Sequence, residues 1–266
     1  LPGLVAWLSL MVWAGTLAPL EARQVRKEIA TEGLEGFLLE IPAGTVRAQP
    51  TPYQKVLIVL ELECVGELIA CGKAERALDL AVVVEDSRAR VSLAGVAGLK
   101  DRLQGGESSR QAGPGQIRGD YDEQSRRWSE SKEWSWKKPK SGDWALKVFV
   151  TLLVPAKLPL EIRAETADVK VLRALGPTTI EVDEGLAFAA VSQAETSTAR
   201  LEVKRGDMRV VDERGRKLEV QSGRKFIEWR GDGDQVSVVL KVNRGVAQVR
   251  VLDGARVLAP PPPPPE

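Results

Sequence analysis

The chain of 266 residues carries 38 Lys and Arg against 37 Asp and Glu, is 43% apolar, and contains no histidine. Its near-zero net charge leaves no global field to steer it to nucleic acid or anionic lipid. The lack of histidine excludes Ser-His-Asp triads, Cys-His dyads and histidine metal sites, while the length suits one large domain or two modest ones.

Residues 1–22 read as a signal peptide. "LVAWLSLMVWAGTLA" is an uncharged apolar run, shorter than the ~20 residues of a membrane-spanning helix. Leu20-Glu21-Ala22 offers a cleavage site, so the mature protein is expected to begin at Arg23. No Lys or Arg precedes the run and the chain opens on Leu1, which points to an alternative or trimmed start. The competing expectation is an uncleaved N-terminal anchor, the one route to a membrane.

Residues 23–99 form a β-rich part. Alternating apolar and polar residues predict strands over 36–48, 55–63, 77–86 and 89–96. "KEIATEGLEG" (27–36) and "GKAERALD" (72–79) are the only helical candidates. The two cysteines, Cys64 and Cys71, fall in "LECVGELIACG". An exported chain permits a disulfide between them across a small hairpin loop, worth about 2–3 kcal/mol. The alternative is two buried apolar thiols.

Residues 100–144 are a polar insertion or linker with no steady strand period. They hold Trp128, Trp134, Trp136 and Trp144. Tryptophan in a charged segment needs cover, so these rings are expected either to fold onto the β core or to form an exposed binding surface for a glycan or partner. Strands resume at 145–155 and 159–165.

From there to residue 258 a triplet recurs. "LEIRAETADVKVL", "IEVDEGLAFAAV", "LEVKRGDMRVV", "LEVQSGRKFIEW" and "LKVNRGVAQVRVL" start at Leu160, Ile180, Leu201, Leu218 and Leu240. Each is apolar-charged-apolar, takes a polar or glycine step, and returns to an alternating strand. The period suits stacked strand-turn-strand coils of a β-solenoid; a β-sandwich is the competing arrangement. Leu160, Ile162, Ile180, Val182, Leu201, Val203, Leu218, Val220, Leu240 and Val242 would face inward. Glu161, Glu181, Glu202, Glu219 and Lys241 would face outward.

Arg-Gly-Asp, a tripeptide used in cell attachment, occurs at residues 118–120, 205–207 and 230–232. Composition predicts roughly 0.1 such tripeptides by chance. Turn chemistry accounts for much of the excess: glycine supplies positive φ and aspartate bonds nearby amides. Residues 259–266 are a proline-rich tail, expected as extended polyproline II.

No Walker loop, dinucleotide fingerprint, nucleophile elbow or Cys-x-x-Cys occurs. The local pairs Asp120/Asp122 and Asp232/Asp234 fit solvated turns better than a Ca²⁺ or sugar site. The sequence therefore predicts a non-enzymatic protein with no catalytic residues, no cofactor and no metal site.

The order of features resembles the bacterial "putative adhesin" domain family of unknown function. The likeness runs over about residues 28–252 and includes "LEIPAGTVRA" and "LLVPAKLPLEIRAETADVKV". Ala167 stands where that family's pattern has glycine in its first coil. The resemblance implies an exported β-solenoid of the cell envelope, periplasmic, surface-bound or secreted. Its role would be adhesin-like binding or scaffolding, with an envelope protein or glycan as partner and no nucleic acid. A weaker resemblance joins "LEVKRGDMRVVDERGRKLEVQSGRKFIEW" (201–229) to FecR-type periplasmic sensor domains, which would imply a regulatory protein partner.

Overall fold

The computed structural model describes residues 23–66, 68–104, 121–122, 127–128, 144–223 and 225–252. The expected signal peptide, the proline-rich tail, Trp134, Trp136 and the first Arg-Gly-Asp lie outside them. In the N-terminal part the elements are β1 (Arg23–Ala30), β2 (Gly36–Thr51), β3 (Lys55–Gly66), α1 (Leu68–Ala77), β4 (Asp79–Glu85) and β5 (Arg88–Ala94). A 3₁₀ turn, Lys100–Arg102, leads into β6 (Leu103–Gln104), and β7 (Tyr121–Asp122) and β8 (Arg127–Trp128) follow. Then come β9 (Trp144–Pro155), β10 (Leu160–Val171), β11 (Thr178–Ser192), β12 (Thr196–Val211), β13 (Gln221–Ser222), β14 (Phe226–Arg230) and β15 (Val236–Leu252).

The protein is mostly β, with one α-helix among the described residues. All strands but β7 and β8 join a single mixed 13-stranded sheet, with main path β1-β3-β9-β2-β10-β11-β15-β12-β14-β13. Strands from both sides of the 100–144 segment interleave. β2 pairs in parallel with β10 along its length, with β5 through Gly36–Glu40, and with β9 through Thr45–Thr51.

β2, β10, β11, β15 and β12 stack in parallel and in register. Leu39, Ile162, Ile180, Leu240 and Leu201 form one row across them, each fully buried. Ile41, Ala164, Val182, Val242 and Val203 form the next inward row, also buried. Burying one Leu or Ile side chain stabilises by about 1.5–3 kcal/mol, so these rows are the energetic centre of the wall.

Each long strand also bends. Residues 193–195 alone link the end of β11 to the start of β12. Yet β12 begins opposite Val236 and β11 ends opposite Leu252, at the two ends of β15. A straight strand of that length would span about 50 Å, and three residues reach only about 13 Å. The strands must fold back on themselves, and they do so at a common corner.

Gly44, Ala167, Gly185, Gly245 and Gly206 align in that corner. The four glycines take φ of 137° to 141°, which L side chains rarely adopt. A Cβ on Gly206 would lie 1.7 Å from the Gly245 carbonyl oxygen, and one on Gly245 would lie 1.9 Å from that of Gly185. Ala167 fits because it keeps an ordinary φ.

Several expectations change. Residues 27–30 continue β1, 31–35 turn, and Gly36 opens β2, because β1 finds a complete antiparallel partner in β3. The second candidate is helical but begins earlier, at Leu68, so Cys71 sits on α1 and not on a hairpin. The segment from Leu218 is not a stacked coil: Leu218 and Val220 are only half-buried, and β13 and β14 form an antiparallel excursion beside β12. Spatial order also departs from chain order, with β15 lying between β11 and β12.

Candidate functional site

The outward face of the stacked strands carries a charge ladder. Glu40, Arg163, Glu181, Lys241 and Glu202 sit on adjacent strands at one level, alternating in sign. Arg163 lies 3.8 Å from Glu40 and 3.9 Å from Glu181, and Lys241 Nζ donates to Glu181 at 2.7 Å. That bond holds the Lys241 ammonium above its ordinary range. Period-two alternation places these residues outward, and parallel register brings opposite charges side by side.

The corner gathers a second polar set. In β10, β11, β15 and β12 the two residues before the corner position face solvent or its edge: Glu165 and Thr166, Asp183 and Glu184, Asn243 and Arg244, Lys204 and Arg205. Together they line an open groove of about 480 Å³. Carboxylates occupy the β10–β11 end and cations the β15–β12 end. Asn243 donates to Asp183, and Arg244 lies 3.5 Å from Glu184. Lys204 and Arg205 have no ion-pair partner among the described residues. A second crevice, lined by Ala48, Pro50, Val154, Leu160 and Val171 among others, has a volume of about 20 Å³, room for one water.

These groove residues escaped the sequence reading, which took the corner as mere turn chemistry. Their signal is visible once the glycines are aligned: two polar residues precede Gly185, Gly206 and Gly245.

Arg205-Gly206-Asp207 spans the corner of β12. Arg205 lines the groove, whereas the Asp207 carboxylate accepts from Met208 N at 3.0 Å and from Arg209 Nε at 2.5 Å. Arg230-Gly231-Asp232 is clamped onto the β11–β12 turn. Asp232 N donates to Gln193 O at 2.9 Å, and Gln193 Nε2 donates to Asp232 Oδ2 at 2.9 Å. Neither described tripeptide stands on a free loop tip.

The structure places Cys64 at the end of β3 and Cys71 on α1, with Cα atoms 5.8 Å apart and the sulfurs bonded. Trp144 opens β9, half-buried against the core, with the Arg102 guanidinium 5.5 Å from its ring centroid. Trp128 lies on β8, but its side chain is outside the described residues. Of the four tryptophans only Trp144 has a described side chain, and Trp134 and Trp136 lie outside the described residues. Among the described residues no three Asp, Glu or Cys side chains converge as metal ligands. No helix among them is long and apolar enough to cross a membrane.

The fold defines a mostly β protein whose distinctive surface is a charged wall with a polar corner groove. No protein-family model matches the chain, and no curated protein matches it. Two solved structures are similar to it at a distance. One is described as a "putative cell adhesion protein" from Clostridium sporogenes ATCC 15579, with a TM-score of 0.43 and 8% identity, covering 88% of this chain and 100% of that one. The other is a "putative adhesin" from Parabacteroides distasonis ATCC 8503, with a TM-score of 0.21 and 8% identity, covering 87% of this chain and 97% of that one.

Proposed function

We propose that this chain is an exported, non-enzymatic protein of the cell envelope, a β-solenoid-type scaffold with an adhesin-like binding or structural role. The observation that carries the reading is the common corner. Five strands bend at the same register position, which turns a sheet into a stiff stack with one continuous charged face. Such stacks gain stability from each neighbour and present extended surfaces rather than closed pockets. The signal-like N-terminus and the Cys64–Cys71 pair both suit an oxidising compartment.

The test is cell fractionation. The full chain should appear in the envelope or medium beginning at Arg23, with Cys64 and Cys71 resistant to alkylation until reduced. A chain lacking residues 1–22 should stay inside the cell. Full-length protein found in the cytoplasm with free thiols would sink the proposal. The tryptophans supply a second check: efficient iodide quenching of Trp128, Trp134 and Trp136 would mark a contact surface, and weak quenching a covering of the core. The sensor-like alternative rests on residues 201–229, which the structure divides between β12 in the wall and the excursion outside it.

A further inference from the structure

We propose that the corner groove binds a carboxylate-bearing polysaccharide, with Lys204 and Arg205 as its principal anion-binding residues. The inference rests on the envelope-scaffold reading and names the class of partner for that surface.

The contrast between two neighbouring levels of the same strands points to it. At the ladder level every cation faces a carboxylate on the next strand: Arg163 between Glu40 and Glu181, Lys241 between Glu181 and Glu202. At the corner the alternation fails. Arg205 stands directly beside Arg244 in the register, with Lys204 and Asn243 one residue earlier on the same two strands, and no carboxylate among the described residues comes from the outer side of β12. Among the described residues that side is open here, because β14 covers β12 only from Thr198 to Glu202. Like charges on adjacent strands disfavour the free protein, and an anion laid between them relieves the repulsion. The two nearest carboxylates along β12 are held elsewhere, Glu202 by Arg200 and Asp207 by Arg209.

The remaining lining selects among anions. Glu165, Thr166, Asp183 and Glu184 line the opposite end, with the Asn243 amide between. A uniformly charged polymer such as polyphosphate would be repelled by that end. A chain whose carboxylates are spaced by hydroxyl-bearing rings is repelled less and gains hydrogen bonds there, since Asp and Glu accept from its hydroxyls and Asn and Thr accept from or donate to them. The groove crosses four strands, about 14 Å from first to last, so it takes a short stretch of chain and not a single ion.

The experiment is calorimetry of the full chain with oligogalacturonate, with neutral dextran and polyphosphate as comparators. Oligogalacturonate should bind, dextran should not, and raising salt to 1 M should weaken binding as the screening length falls to about 3 Å. Lys204→Gln and Arg205→Gln should each weaken it about tenfold, the loss of one charge-assisted hydrogen bond. Lys204→Arg should keep it, and so should Arg90→Gln, which removes the partner of Glu40 on β5. Both glutamine variants should melt no lower than the parent, since a repulsion is removed. Absence of binding, binding equal to dextran, tighter binding of polyphosphate, or undiminished binding by both glutamine variants would each overturn the assignment. Envelope location that persists in those outcomes leaves the scaffold reading standing, whereas cytoplasmic location defeats that reading independently.

Discussion

Two segments begin alike, Leu-Glu-Val at 201–203 and again at 218–220, yet the first lies inside the wall and the second beside it. After Val203 comes Lys-Arg-Gly, a corner with φ of 141°, and a return to buried Val210. Before Leu218 the chain has already reversed. Gly215 N donates to Asp212 O at 3.0 Å, Arg216 Nε reaches Asp212 Oδ2 at 2.6 Å, and Leu218 N donates back to Val210 O at 3.0 Å. The tight turn commits 218–220 to run antiparallel to β12, and no coil can start there. A repeated triplet joins the parallel rows only if the turn ahead of it delivers the strand in parallel.

The sharpest way to break this comparison is a charge in each leucine. Leu201→Asp should prevent folding, because burial of an unpaired carboxylate adds to a lost core contact for more than about 5 kcal/mol. Leu218→Asp, at a half-buried site, should cost about 1 kcal/mol and leave cooperative unfolding in urea intact. Equal loss in the two would mean that 218 also belongs to the stack.

Next in size is the glycine pair. Gly245→Ala should destabilise by roughly 3 kcal/mol, since the methyl meets the Gly185 carbonyl and the φ is unfavourable. Gly223→Ala, whose new methyl would first meet the half-exposed Phe226 ring and not a backbone carbonyl, should cost far less in the same thermal melts. The ladder is weaker still. Glu181→Gln should lower stability by less than about 1 kcal/mol, with the effect vanishing in high salt.

Titration separates the regions by sign. Burial opposes ionisation of Asp212, but the Arg216 amide and guanidinium overcome it and hold the carboxyl below its usual range. Its contribution is therefore present above the ordinary carboxylate pKa and lost as pH falls through the lower folded value. Lys241 is shifted upward, so its contribution is full below the ordinary lysine pKa and is lost only as pH rises through the higher folded value. Amide exchange should show acid loosening the 212–216 turn and strong alkali loosening the ladder. The smallest effect belongs to Asp207→Glu, which should alter neither stability nor surface attachment.

Alternation made the strands legible. Eight of the ten residues expected to face inward are buried, and the two that are not, Leu218 and Val220, follow the turn just described. What alternation cannot convey is which strand lies beside which. Ile180, Leu240 and Leu201 share one row because of register between distant segments, and nothing local to any of them records it. The groove was hidden for the same reason. Lys204 and Arg205 look like an ordinary charged pair until Arg244 is placed next to them. From the sequence, Cys64 and Cys71 fit either a disulfide or two buried thiols, and α1, which carries Cys71, reads poorly as a helix over its first residues.

The position of β15 has a consequence for how the chain comes into being. The last described strand to leave the ribosome is not added at a margin; it fills the slot between β11 and β12, and Val236 N closes onto Glu195 O at 3.1 Å. Until it arrives, two long apolar strands stand with facing edges bare. Completion of the wall thus waits on translation of β15. A nonsense codon near residue 236 would remove a keystone and not a fringe.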